Sequence, residues 1–154
     1  MNVDPLAGGG GALYTSDEFT FEVPSGWAPA PEAERPTFID DRGGVLIVSS
    51  SRVTPAESRE VLDMVLSNAF AAVQRAASDP ELMQVSELRE SPHRSLRCWT
   101  AEARTHDGSV FFSQCVLATK RGVLLATLET PPSAESHHQL FREFVDSVGD
   151  AAAS

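Results

Sequence analysis

Apolar side chains recur at three- and four-residue steps in two stretches of the chain, and this period predicts two amphipathic helices. The first helix is expected over about residues 55–77, where Thr54 can cap the N-terminus and Pro55 occupies the first helical position. The second is expected over about residues 134–148. The apolar stripe of the first helix comprises Leu62, Val65, Leu66, Ala69, Val73 and Ala76, and that of the second Leu140, Phe141, Phe144, Val145 and Val148.

The other apolar positions alternate with polar ones or form short runs, as β-strands do. Residues 19–23 alternate, which predicts a half-buried strand, whereas Val45–Val48 is unbroken and predicts a strand covered on both faces. Short turns at Asp107-Gly108 and Lys120–Gly122 predict an antiparallel meander. The further strands are expected over residues 13–14, 37–40, 82–88, 96–103, 110–118 and 123–128.

The order of strands, helix, strands and helix predicts an α+β fold, in which two main helices pack on one antiparallel sheet of five to seven strands. A length of 154 residues fits a single domain. That domain is expected over residues 12–148. Residues 1–11, with four consecutive glycines, are predicted to be a flexible tail, and residues 149–154 are predicted to fray.

The chain carries a formal net charge of −10, from 22 acidic and 12 basic residues. Such a charge repels phosphate backbones and anionic membrane surfaces, so we expect neither a nucleic-acid partner nor stable insertion into a membrane. The first eleven residues lack the basic and apolar regions of a secretory signal, and no apolar run is long enough to span a bilayer. The chain is therefore expected to be cytoplasmic, unless a leader was removed.

No spacing of reactive side chains indicates a catalytic, cofactor or metal site. Ser49–Ser51 lacks the glycines of a nucleophile elbow. His137 and His138 are adjacent, and neighbours on a helix point about 100° apart, so they cannot chelate one ion as residues four apart can. Both are expected to be exposed in the first turn of the last helix, and His93 and His106 to be polar surface residues. The chain is accordingly predicted to be a binding protein and not an enzyme.

The two cysteines, Cys98 and Cys115, fall on adjacent strands of the predicted meander and on the same sheet face. A disulfide between them is possible, but in a reducing cytosol two buried thiols are the preferred interpretation. Their mid-strand positions also argue against a cysteine nucleophile.

Charged and aromatic residues leave two interpretations open. Arg89, Arg94, Arg97 and Arg104 interleave with glutamates, which is typical of a mixed charged surface, with a patch for an acidic partner as the alternative. Trp27 is expected to cap the core. Trp99 is expected either in the core or on an exposed binding face.

Several segments together resemble the Mog1/PsbP-like superfamily, and within it the bacterial DcrB (DUF1795) family. Residues 19–27 read as a first strand closed by Pro-x-x-Trp, and the strand Val45–Ser51 runs into the long helix. Residues 113–132 form a strand pair that ends in two prolines, and the closing helix carries Phe141 and Phe144. The similarity covers about residues 12–148 and implies a curved antiparallel sheet flanked by helices.

Within that family, the chain is most similar to the cytosolic adaptor chaperones associated with type VI secretion effectors. These proteins lack signal peptides, are acidic, and dimerise around hydrophobic effector helices. The resemblance implies a non-enzymatic protein-binding adaptor, a chaperone for a secreted effector. An immunity or regulatory protein that binds a toxin or a small GTPase, as Mog1 relatives do, is one alternative, and a small-ligand carrier is another. No family motif transfers a binding residue onto this sequence.

A chaperone for apolar helices must present an apolar surface, and a solitary monomer would not leave one uncovered. On each strand of the meander, side chains of one parity must face away from the helices. We therefore expect a homodimer or a complex with a hydrophobic effector segment, in contact with the sheet. The candidate partner-binding residues are Trp99, Phe111, Phe112, Val123 and Leu124.

Overall fold

The structure is a computed structural model, which describes residues 2–5, 12–16, 18–24, 26–30, 36–40, 43–54, 56–78, 82–93, 95–107, 110–130 and 134–151. It contains helices α1 (Ser58–Ser78) and α2 (Ala134–Ser147). The strands before α1 are β1 (Asn2–Pro5), β2 (Ala12–Thr15), β3 (Phe19–Val23), β4 (Ala28–Pro29), β5 (Thr37–Ile39) and β6 (Val45–Arg52). Those after α1 are β7 (Leu82–Ser91), β8 (Arg97–Thr105), β9 (Phe111–Ala118), β10 (Gly122–Thr130) and β11 (Gly149–Asp150).

Seven strands form the main sheet, in the order β4-β5-β6-β10-β9-β8-β7, and every neighbouring pair is antiparallel. After β6 the chain crosses through α1 to the far edge of the sheet. Strands β7 to β10 then return as a meander until β10 pairs with β6. The predicted α+β class, with two helices on an antiparallel sheet of five to seven strands, is confirmed.

A second, smaller sheet has the order β1-β2-β3-β11 and was not anticipated as a separate layer. Residues 2–5 pair with β2, although the sequence predicts a flexible tail there. Gly149 and Asp150 pair with β3, and the Ala151 amide donates to the Glu18 carbonyl over 3.0 Å. The start of the segment predicted to fray is thus held by backbone hydrogen bonds, which require no particular side chains.

The main core lies between the small sheet, α2 and one face of the main sheet. Four aromatic rings form its centre, with centroid separations from 4.6 Å between Tyr14 and Phe38 to 6.1 Å between Phe21 and Phe38. Phe144 of α2 meets Phe21 edge to face at 5.7 Å. Trp27 packs at the rim of this core, as predicted.

Helix α1 packs on the opposite face of the main sheet and forms the second core. Its partly buried Leu62 and Leu66 contact a cluster that includes Val116 and Val123. The described part of the predicted stripe therefore faces the sheet, while the side chains of Val73 and Ala76 lie outside the described residues. The Glu57 amide donates to the Thr54 hydroxyl over 3.3 Å, so Thr54 caps the helix as expected, although regular helix begins only at Ser58.

Two glycines allow close approaches between layers. A Cβ atom on Gly122 would lie 2.8 Å from the Cβ of Glu18 and 2.9 Å from Cε2 of Phe19. The β9–β10 turn is therefore seated directly against β3. A Cβ atom on Gly44 would lie 2.6 Å from Cη2 of Trp27, which explains how this tryptophan covers the β5–β6 turn.

Cys98 and Cys115 are buried on one face of neighbouring strands and are not joined by a disulfide in the structure, in agreement with the prediction of two buried thiols. Burial raises the pKa of the Cys98 thiol to about 11, with a further contribution from the charge of Asp146. Burial likewise raises the pKa of the Cys115 thiol. Neither thiol is therefore activated as a nucleophile.

Candidate functional site

The strand register decides which of the five candidate partner-binding residues share a face. Trp99 pairs with Val116, and side chains directly opposite each other lie on the same face of a sheet. By this register Trp99, Phe112 and Val123 point to the face that carries α1. Phe111 and Leu124 point to the opposite face, towards the main core.

Most of these five residues are covered within the chain. Trp99 and Val123 pack in the second core under α1, and Val123 is 3% exposed. Leu124 is fully buried in the main core, and Phe111 lies against the His137 ring at 5.7 Å. Val123 and Leu124 are therefore not part of an open surface, because each strand of this part of the sheet is covered on both faces. Of the five, Phe112 alone lies on the part of the α1 face that the helix leaves uncovered.

An open apolar surface exists further along the same face. Helix α1 packs on β7, β8, β9 and β10, and the described residues of β5 and β6 have no comparable contact with it. On this uncovered part, one row of side chains crosses four strands in the order Phe112, Glu129, Val45 and Ile39. Ile47 lies in the next row. We call the apolar members, Ile39, Val45, Ile47 and Phe112, the open sheet surface.

The open sheet surface corrects one expectation from the sequence. The unbroken run Val45–Val48 was expected to be covered on both faces. Leu46 and Val48 do point into the main core and are each 1% exposed, but Val45 and Ile47 are only partly buried. Ile39 beside them is 46% exposed, although it is a large apolar side chain.

The chemistry of this surface is amphipathic. Its apolar side chains surround Glu129, which is exposed, and Thr127 lies beside Ile47 in the neighbouring row. Three strand spacings of about 4.8 Å separate Ile39 from Phe112, so the row is about 14 Å long. An α-helix advances about 5.4 Å per turn, so the row has the length of two to three helical turns.

A buried polar cluster joins α2 to the sheet and corrects a second expectation. His137 was expected to be exposed, but it is 1% exposed and lies between two hydroxyls. Its Nε2 forms a hydrogen bond with Ser113 at 2.7 Å, and its Nδ1 forms one with Thr130 at 2.8 Å. Burial, and secondarily the charge of His138, lower the pKa of His137 to about 4. The cluster therefore anchors α2 to the sheet. Because Ser113 is also buried, its hydroxyl is not accessible as a nucleophile.

A small pocket adjoins this cluster, with a volume of about 280 Å³. Glu102 and His138 lie on its wall, where Nδ1 of His138 is 3.2 Å from the Glu102 carboxylate. Phe111 and Phe112 also line it. The volume lies just below the range of about 300–1,000 Å³ that is typical of small-ligand sites.

Neither a metal site nor a membrane span emerges from the described residues. They bring together no group of three His, Cys, Asp or Glu side chains able to hold a metal ion. Within the same part of the chain, neither helix is long and apolar enough to cross a membrane.

Comparison with known proteins supports the fold by structure alone. No protein-family model and no curated protein matches the sequence. The structure of LpqN, which is involved in cell envelope biogenesis of Mycobacterium tuberculosis, is similar with a TM-score of 0.58 and 12% identity, over 97% of this chain and 90% of LpqN. A point mutant of the protein Mog1 is similar with a TM-score of 0.51 and 12% identity, over 99% of both chains.

A third similar structure is larger than this chain. It is a protein of Bacteroides thetaiotaomicron VPI-5482, with a TM-score of 0.55 and 12% identity. The match covers 92% of this chain but only 48% of the Bacteroides protein. At this identity the likeness concerns the fold only. The chain therefore has a Mog1-like fold, as the sequence resemblance implies, and the link to the DcrB family stays a prediction.

Proposed function

We propose that this chain is a non-enzymatic protein-binding adaptor that holds a partner segment against the open sheet surface. One observation carries the proposal: Ile39, Val45, Ile47 and Phe112 share the sheet face beyond α1, where Ile39 is 46% exposed and the other three are only partly buried. An uncovered apolar patch is typical of a protein-interaction site. The fold shared with LpqN and Mog1 is compatible with this role but does not specify it.

The partner that fits best is the apolar stripe of an amphipathic helix. The open sheet surface is about 14 Å long, which matches two to three turns of such a helix laid across the strands. Exposed Glu129 in the middle of the row favours a partner with a basic residue between its apolar ones. Fully burying one such apolar side chain contributes about 1.5–3 kcal/mol, and these are already partly covered, so the surface alone gives modest affinity.

In its specific form, the proposal is that the adaptor is a cytoplasmic chaperone for a type VI secretion effector. The sequence resemblance and the acidic surface support this form, since an effector with an exposed apolar helix must be kept soluble before export. A homodimer would place two open sheet surfaces around one such helix.

The test is co-expression with the hydrophobic N-terminal segment of an effector encoded beside this chain, followed by size-exclusion chromatography with light scattering. We expect a stable complex, and we expect Ile47→Glu to abolish it. Met64→Glu is the matched control, because Met64 is 57% exposed on α1, away from the open sheet surface. Loss of binding in both variants, or in neither, would contradict a client site on the sheet.

Light scattering of the chain alone separates a client from a second copy. A dimer that Ile47→Glu dissociates would show that the open sheet surface contacts another copy of the chain. A monomer that binds no effector segment would leave the chaperone form without support.

A further inference from the structure

A large cleft lies at the end of the sheet remote from the open sheet surface. It has a volume of about 1130 Å³ and lies between the start of α1, the start of β8 and the β9–β10 turn. Its rim carries four of the 12 basic residues of a chain with a net charge of −10, together with two acidic residues. The basic residues are Arg59, Arg97, Lys120 and Arg121, and the acidic ones Asp63 and Asp150.

The positive charge of this basic cleft is only partly neutralised. Arg121 lies 3.9 Å from Asp150, and Arg97 lies 3.3 Å from Glu90, but these arginine side chains are 56% and 63% exposed. Exposed ion pairs of this kind contribute little and exchange readily with water. Arg59 and Lys120 form no ion pair with any described side chain. The cleft therefore presents cations that can engage an external anion.

The fold positions Arg97 and the backbone of the turn that carries Lys120 and Arg121. The guanidinium of Arg97 stacks over the Trp99 ring at 4.7 Å, and its Nε lies 3.3 Å from the Glu90 carboxylate. The turn that carries Lys120 and Arg121 is seated against β3 through the close approach at Gly122. Side chains that are positioned in advance lose less entropy when a partner binds.

We propose that the basic cleft binds an acidic protein segment in which carboxylates flank an apolar side chain. Between the cations, Leu62 and Leu96 line the cleft and provide apolar surface for that side chain. The volume exceeds the range of about 300–1,000 Å³ that is typical of small-ligand pockets, and the cations come from three separate elements, the start of α1, the start of β8 and the β9–β10 turn. Both features favour an extended segment over a single small anion, and the net charge of −10 opposes duplex nucleic acid.

The test is a fluorescence anisotropy titration of the full chain with a labelled peptide of mixed glutamate and leucine. We expect saturable binding that weakens as salt rises, because the Debye length falls from about 30 Å at 0.01 M to about 8 Å at 0.15 M ionic strength. The combined variant Arg59→Glu, Lys120→Glu should raise the Kd by about tenfold or more. Arg142→Glu is the matched control, since Arg142 is an exposed arginine on α2 that is not part of the cleft, and it should bind as the unmodified chain does.

Two further probes complete the design. A peptide in which glutamine replaces each glutamate should bind at least about tenfold more weakly, and inorganic pyrophosphate should not displace the acidic peptide. Equal binding of the glutamine peptide, an unchanged Kd in a charge-reversed variant with a native circular dichroism spectrum, or displacement by pyrophosphate would each overturn the proposal. The Ile47→Glu variant leaves the basic cleft intact. Its affinity for the acidic peptide therefore tests the basic cleft independently of the open sheet surface.

Discussion

Nε2 of His137 lies 2.7 Å from the hydroxyl of Ser113, and both side chains are 1% exposed. With Thr130 on the other ring nitrogen, one imidazole connects α2 to β9 and to the end of β10. A neutral imidazole has one donor and one acceptor nitrogen, and a hydroxyl can serve either. The buried hydroxyls of Ser113 and Thr130 therefore keep these hydrogen bonds only while the neutral His137 ring lies between them. The protonation state of His137 should for this reason affect the stability of the fold.

Stability should fall on acidification because of His137. Burial lowers the pKa of this residue from 6.5 to about 4 in the folded chain, so the unfolded chain binds the proton more readily. The contribution is fully present above pH 6.5 and is lost as the pH falls from 6.5 towards 4. The linked loss is at most about 3 kcal/mol in the free energy of unfolding. Urea unfolding across this pH window measures it.

His137→Gln is the control for this effect, because an amide keeps a donor and an acceptor but does not titrate. We expect the variant to be less stable near neutral pH and to lose less stability between pH 6.5 and 4. An unchanged pH profile would mean that other groups cause the acid sensitivity.

The two cores should respond differently to truncation. Leu46 is 1% exposed in the main core, and Leu46→Ala should cost about 2–5 kcal/mol. Leu66 is only partly buried against the sheet, so Leu66→Ala should cost less, about 1–3 kcal/mol. Urea denaturation of both variants measures the difference. A Leu66→Ala cost below about 1 kcal/mol would mean that α1 contributes little through this position.

Two glycines should differ in the substitutions that they tolerate. Gly122→Ala should cost about 1–3 kcal/mol by overpacking, because its Cβ would meet Glu18 and Phe19. Gly26 has a φ of 88° and open space around it, so there the cost is conformational. Gly26→Asn should therefore be milder than Gly26→Ala, whereas Gly122→Asn should be at least as harmful as Gly122→Ala. Thermal unfolding of the four variants checks whether Asn is tolerated better than Ala at position 26 but no better than Ala at position 122.

Both thiols should resist modification in the folded chain. Cys98 and Cys115 are buried, and burial raises the pKa of each, so the reactive thiolate is scarce at neutral pH. Iodoacetamide followed by mass spectrometry should show slow labelling of the native chain and rapid labelling of both cysteines in urea. Fast labelling of either cysteine without denaturant would contradict the packing of the main core.

The elements with strong periodicity could be predicted from the sequence. The second helix was expected over about residues 134–148 and spans Ala134–Ser147, and the alternating residues 19–23 form β3. Strands β4 and β11 contain two residues each and pair through the backbone, so no pattern of side chains reveals them. Residues 28–29 fall in none of the strands expected from the sequence, yet Ala28 and Pro29 pair with β5 at the sheet edge.

The candidate site was harder to predict than the fold. Phe111 and Phe112 are both apolar, as are Val123 and Leu124, so the sequence does not show which member of each pair faces α1. The register supplies that information only once the strands are paired. The burial of His137 did leave a signal, because it precedes Phe141 by four residues and so continues the apolar stripe of α2.

Strand β9 contributes to both proposed contacts, at its opposite ends. Ala118 lines the basic cleft and Phe112 belongs to the open sheet surface, and the six residue steps from Phe112 to Ala118 along β9 span about 20 Å. A single client could occupy both only if its acidic and apolar segments were joined by at least about six extended residues. Such a client would gain avidity, because the first contact raises the effective concentration of the second segment to the millimolar range. The length of β9 would then determine which clients bind, through the spacing of their acidic and apolar segments.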